Sequence, residues 1–105
     1  MLTIGTHRVI LDGYSKEILW DKGKDALLQA ERGIGFEQVA GILGRSSHLR
    51  IVDHWNQKRH PQQRVFIVEI GGYAYYVPFA ETQVMIFLKT IFPSRKATRM
   101  YIKER

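Results

Sequence analysis

His54, Arg64, Lys89 and Arg95 carry the side chains that could cleave a phosphodiester without a metal. Attack by an RNA 2′-hydroxyl needs one group to take its proton and another to protonate the leaving oxygen. It also needs cations to steady the phosphorane. Imidazole, ammonium and guanidinium supply these functions. His54 has an unperturbed pKa of about 6.5, and neighbouring cations favour its neutral, proton-accepting form. Arg64 closes the loop that His54 opens, so the two are expected to lie close together. Hairpin phasing nominally places Arg64 on the core face, a phase held weakly at a strand end. Lys89 is expected to stabilise the phosphorane, and Arg95 to grip the neighbouring phosphate from a helix start. Arg50, Lys96 and Arg99 add phosphate contacts. Tyr76 offers a face on which a base can stack, as could Trp55 if exposed.

Other chemistries fit these residues less well. His48, His54 and His60 sit six apart, without an H-x-H or H-E-x-x-H spacing, and Asp53 is the one acid among them. No metal site is expected from that pattern. Gly33-Ile-Gly35 and Gly41-Ile-Leu-Gly44 match neither a Walker nor a dinucleotide-binding loop, so no cofactor is implied. There is no G-x-S-x-G elbow, and Ser94 reads as a helix cap rather than a nucleophile. The chain has no cysteine, which excludes disulfides and thiolate ligands.

Charge points the same way as the side chains. The formal net charge is +6 over 105 residues. Residues 45–64 hold five basic residues and one acid, and residues 89–105 hold six and one. The remainder is slightly acidic. If the two basic segments converge, they form a patch suited to a polyanion. Met1 to Ile10 contains no long apolar run, so neither a signal peptide nor a membrane span is expected. The chain reads as soluble and cytoplasmic.

Several elements must position these groups. Lys16 to Trp20 reads as a short strand. Asp21 is an N-cap for a helix over 22–32, with Ala26, Leu27 and Ala30 as its apolar face and Gly33 as its stop. Phe36, Val39, Ala40 and Leu43 form the stripe of a second helix. From Ser47 the period becomes two, with Arg50, Val52 and His54 on one side. The polar loop from His54 to Arg64 is long for so small a domain, as functional loops are. Two strands flank Gly71-Gly72, a two-residue hairpin turn that pairs Ile70 with Tyr73, Val68 with Tyr75 and Phe66 with Val77. Met85 to Phe92 is a last apolar strand, ended by Pro93. Ser94 then caps a short helix with Ala97, Met100 and Tyr101 at helical spacing. The class is α+β: two N-terminal helices packed on a mainly antiparallel four-stranded sheet, with a short C-terminal helix. Residues 1–15 read as an N-terminal extension and 16–105 as a single domain.

Trp20-Asp-x-x-Lys24, Arg32-Gly-Ile-Gly-Phe-Glu-Gln-Val39 and Ser94-Arg-Lys-Ala-Thr98, in that order, resemble the BrnT-type toxins of type II toxin–antitoxin systems. Val77-Pro-Phe-Ala80 and Phe87-Leu-Lys-Thr-Ile-Phe-Pro-Ser-Arg-Lys96 are similar to a subgroup of them. The resemblance implies a RelE-like fold and a metal-independent endoribonuclease that arrests translation. It also implies a cognate acidic antitoxin with a ribbon–helix–helix DNA-binding domain, and operator DNA bound through the complex. The Ala97, Met100 and Tyr101 stripe is the expected antitoxin contact. A non-enzymatic basic nucleic-acid-binding module is the alternative, and an inactive subunit kept for operon control is a third reading.

Overall fold

The extended stretches of the chain gather into one sheet with helices on both sides. A computed structural model describes residues 2–104, and the side chains of residues 7–104. The first strand, β1 (Leu2–Leu11), turns back into β2 (Tyr14–Asp21) through Asp12 and Gly13, both at positive φ. An aspartate–glycine pair is a favoured two-residue hairpin loop. Helices α1 (Lys22–Arg32) and α2 (Phe36–Gly44) follow. Then come β3 (Arg50–Asp53), β4 (Arg64–Ile70), β5 (Tyr73–Glu81), β6 (Met85–Leu88) and β7 (Phe92–Pro93). The chain closes with α3 (Arg95–Thr98), continued by a π-helical turn over Arg99–Lys103.

The sheet has seven strands in the order β1-β2-β6-β5-β4-β3, with β7 against β5. This corrects the expected four-stranded, mainly antiparallel, RelE-like sheet. β2 and β6 run parallel, so the sheet is mixed. The stretch expected as an extension supplies the edge strand β1, whose register slips between Ile4 and Arg8. After the slip, Val9 and Leu11 face inward and Ile10 outward. β6 is flanked on both sides, which accounts for its unbroken Met-Ile-Phe-Leu run.

Two cores result. On one face, α1 and α2 cover Ile18, Trp20, Phe66, Val68, Val77, Phe79, Ile86 and Leu88. Phe36, Val39, Ala40 and Leu43 are buried there, as the stripe of α2 predicts. On α1 the expected face of Ala26, Leu27 and Ala30 is exposed and the buried residue is Leu28, because the helix turns a different side to the sheet. On the opposite face the terminal helix covers Ile67, Ala74 and Val52. The hairpin pairs as its sequence predicts, with Gly71 and Gly72 at φ 60° and 80°. Among the described residues no helix is long and apolar enough to cross a membrane.

The terminal helix is tied down by short-range polar bonds. Ser94 Oγ accepts from Ala97 N–H (3.0 Å), and Thr98 Oγ1 accepts from Ala74 N–H (2.9 Å) while donating to Ser94 O (2.7 Å). Losing the cap leaves a buried N–H without a partner. Ser94→Ala is therefore expected to lower stability by about 1 kcal/mol, measured by urea unfolding.

Candidate functional site

The face covered by the terminal helix stays open at its other end, beyond Tyr76. A groove of about 390 Å³ lies there, lined by His54, Trp55, His60, Gln63, Pro78, Lys89, Thr90 and Phe92. A backbone irregularity shapes it. Phe79 pairs with Leu88 but Tyr76 pairs with Phe92, so three steps along β5 match four along its partner. Lys89 lies opposite Pro78, so Thr90 and Ile91 together face Val77 and make a bulge there. Lys89 N–H donates to Pro78 O (2.8 Å), and Pro78 has no N–H to return. The bulge restores the phase: Leu88 and Ile91 enter the helix-side core, while Lys89 and Phe92 both reach the groove. The expected single strand Met85–Phe92 is thus β6 and β7 with this break between them.

Aromatic rings wall the groove. Trp55 is 59% exposed and lies 5.5 Å from Tyr76 and 5.7 Å from Phe92, centroid to centroid, with Tyr76 and Phe92 edge-to-face at 5.6 Å. His54 stacks on Trp55 at 4.2 Å and meets His60 at 4.4 Å. The loop carrying these rings is internally bonded. His54 N–H donates to Gln63 O (3.0 Å), His60 N–H to Asn56 O (2.9 Å), and Gln57 Nε2 to His54 O (2.6 Å). Rings displayed on a fixed loop keep their stacking geometry at small entropic cost.

His54 has a defined state. It is only 7% exposed, and its Nδ1 accepts the Asn56 N–H at 3.0 Å. A neutral ring that accepts at Nδ1 carries its proton on Nε2. Burial, with the neighbouring His60 second, holds its pKa below the ordinary histidine value. The lowered pKa favours the neutral ring, with burial rather than the expected neighbouring cations as the first cause. Its Nε2 is a donor, not the proton acceptor expected of it.

The other expected groups divide between the faces. Lys89 is exposed beside the groove, with Nζ 5.0 Å from the Phe87 ring centroid. Arg64 is not brought there. It keeps the helix-side phase, over the Phe79 ring, and its Nε and Nη2 donate to Glu81 at 2.7 and 2.9 Å. Nη2 also reaches Asp12 at 2.6 Å, and Lys16 Nζ holds the same Glu81 at 2.7 Å. Hydrogen bonds donated to Glu81 raise the Arg64 pKa further, so it stays a fixed cation in a structural cluster. The weak phase at the strand end was settled by these partners. Arg95 is exposed at the start of α3, above the Ala74 end of β5. Ala74 and Pro78 are four residues apart on β5, about 13 Å along the strand. Lys96 and Arg99 are exposed on the same short helix, and Arg50 lies over the Tyr101 ring at 5.5 Å. That contact joins the two basic segments. Ala97 is fully buried under α3, so of the expected antitoxin stripe Met100 is the openly exposed member. His48 packs on Phe66 on the helix side, away from His54 and His60.

No protein-family model, curated protein or solved structure matches the chain.

What the groove can do follows from its own side chains: stack a base, hold an anion and move a proton. Trp55, His60 and Phe92 belong to it although no spacing rule singles them out. The signal available in the sequence was the loop's length and its two histidines and tryptophan within seven residues. The placement of Phe92 depends on the bulge at Thr90.

Proposed function

We propose that the groove binds single-stranded RNA and cleaves it without a metal, as a toxin of the kind the sequence resembles would. The observation that carries this reading is the meeting of two imidazoles and Lys89 in one groove lined by Trp55 and Phe92, with Tyr76 packed against both rings. An exposed indole takes the unpaired base, and the ammonium meets the phosphate beside it. Arg95 and Arg99 hold the neighbouring phosphates rather than the reacting one, given their place along β5. A basic field around this face supports fast association with RNA or with an acidic inhibitor.

The test is incubation of the purified protein with single-stranded RNA in excess chelator, followed by analysis of product ends. A 2′,3′-cyclic phosphate and a 5′-hydroxyl are expected. Binding without product would leave the non-enzymatic module. Induced expression with and without the neighbouring reading frame tests the partner: growth arrest relieved by that gene is the expected outcome.

Two binding measurements check the surface itself. Trp55→Ala should weaken single-strand affinity by about 1–3 kcal/mol, the loss of one stacked base. Arg95→Ala should lower the slope of log affinity against log salt by about 0.7. A salt response identical to that of the unaltered protein would place Arg95 outside the RNA path.

A further inference from the structure

The two histidines of the groove differ in what their rings are free to do. His54 is buried, and its Nδ1 is occupied by the Asn56 N–H. Its Nε2 already carries the proton of the neutral ring. To accept a second proton it would have to become a buried cation beside His60. His60 is half-buried, lines the groove with Lys89, and has no hydrogen bond to either ring nitrogen among the described residues. Its backbone is held by the bonds from His60 N–H to Asn56 O (2.9 Å) and from Gln63 N–H to His60 O (3.2 Å). The His54 ring packs against it at 4.4 Å.

We infer that His60 is the catalytic residue that takes the 2′-hydroxyl proton, and that His54 is a positioning residue holding it in the groove. This rests on the RNA-cleaving reading above. In the step, a ring nitrogen of neutral His60 removes the 2′-hydroxyl proton as the 2′-oxygen bonds to phosphorus. The bond from phosphorus to the 5′-oxygen breaks, and that oxygen takes a proton from the Lys89 ammonium. The products are a 2′,3′-cyclic phosphate and a 5′-hydroxyl. Solvent then carries the proton from His60 back to Lys89, restoring both. The charged and titratable groups around His60 are His54 and Lys89 in the groove and Arg59 beside it in the loop.

The experiment is the pH–rate profile of single-stranded RNA cleavage by the unaltered protein, His60→Asn and His54→Gln, with RNA affinity measured alongside. The unaltered protein is expected to lose rate on acidification, the acid limb of a general base. His60→Asn should fall about a hundredfold or more and lose this acid limb, with affinity changed less than about threefold. His54→Gln should slow cleavage yet retain the limb. Imidazole added to His60→Gly should restore part of the rate, which separates lost chemistry from lost folding. An acid limb that vanishes in His54→Gln and persists in His60→Asn would overturn the assignment. Absence of cleavage by the unaltered protein is a different result: it would overturn the RNA-cleaving reading and, with it, this one.

Discussion

Glu81→Ala should unfold with a free energy lower by about 1–3 kcal/mol, the cost of stripping the shared partner from a partly buried ion cluster. Glu81 lies between Lys16 Nζ at 2.7 Å and the Arg64 guanidinium at 2.7 and 2.9 Å. The side chains of Lys16, Glu81 and Arg64 are 6%, 17% and 26% exposed, so water compensates poorly for the lost anion. Without Glu81, two cations face each other at the meeting point of β2, β4 and β5. Asp12 remains on Arg64 but is half in solvent and offsets little. A loss under about 1 kcal/mol in urea unfolding would put the cluster in the class of surface pairs.

The same cluster fixes a pH dependence. Burial pushes the Glu81 pKa up, but hydrogen bonds from Arg64 and then Lys16 outweigh it, and the net value lies below the ordinary one. A carboxylate depressed in the folded state contributes stability above its unfolded pKa of about 4.3. That contribution is lost as pH falls through the lower folded value. The difference in stability between the unaltered protein and Glu81→Gln should therefore shrink below about pH 4.3 and stay constant above about pH 6. A difference that grows on acidification would contradict the sign.

Lys89→Ala should cut RNA cleavage by about 10²–10³-fold while leaving the fold intact. The ammonium is exposed, so its removal should change unfolding stability by no more than about 0.5 kcal/mol. Its role depends on where the Thr90 bulge sends it, not on packing. Lys89→Arg keeps the charge but spreads it over a planar fork, and partial activity is expected. Thermal unfolding beside product analysis checks both halves. Full activity in Lys89→Ala would move the chemistry out of the groove.

Much of the fold was legible because local signals agreed with tertiary context. Asp21 caps α1 by accepting the Lys24 N–H (2.9 Å), Gly33 ends it at φ 69°, and Ser94 caps α3. The Gly71-Gly72 turn pairs seven residues of β4 with β5 in the predicted register. Each signal lies within a few residues of what it controls, so sequence order alone suffices. The parallel pairing of β2 with β6 was not legible. Those strands lie some 65 residues apart, and no local preference names the neighbour.

Local sequence carried the helix limits, the hairpin, the cap of the terminal helix and the basic character. Tertiary structure decided the rest of the site. It supplied Glu81 and Asp12 as the partners that hold Arg64 in the core-side phase its hairpin assigns, away from the groove. The bulge at Thr90, one step past Pro78, brought Phe92 alongside Lys89 where the proline cannot return a ladder hydrogen bond. The Asn56 amide occupied Nδ1 of His54, turning an expected base into a donor. Each of these depends on which atom lies across a gap from which, and alternation along one strand carries no information about that.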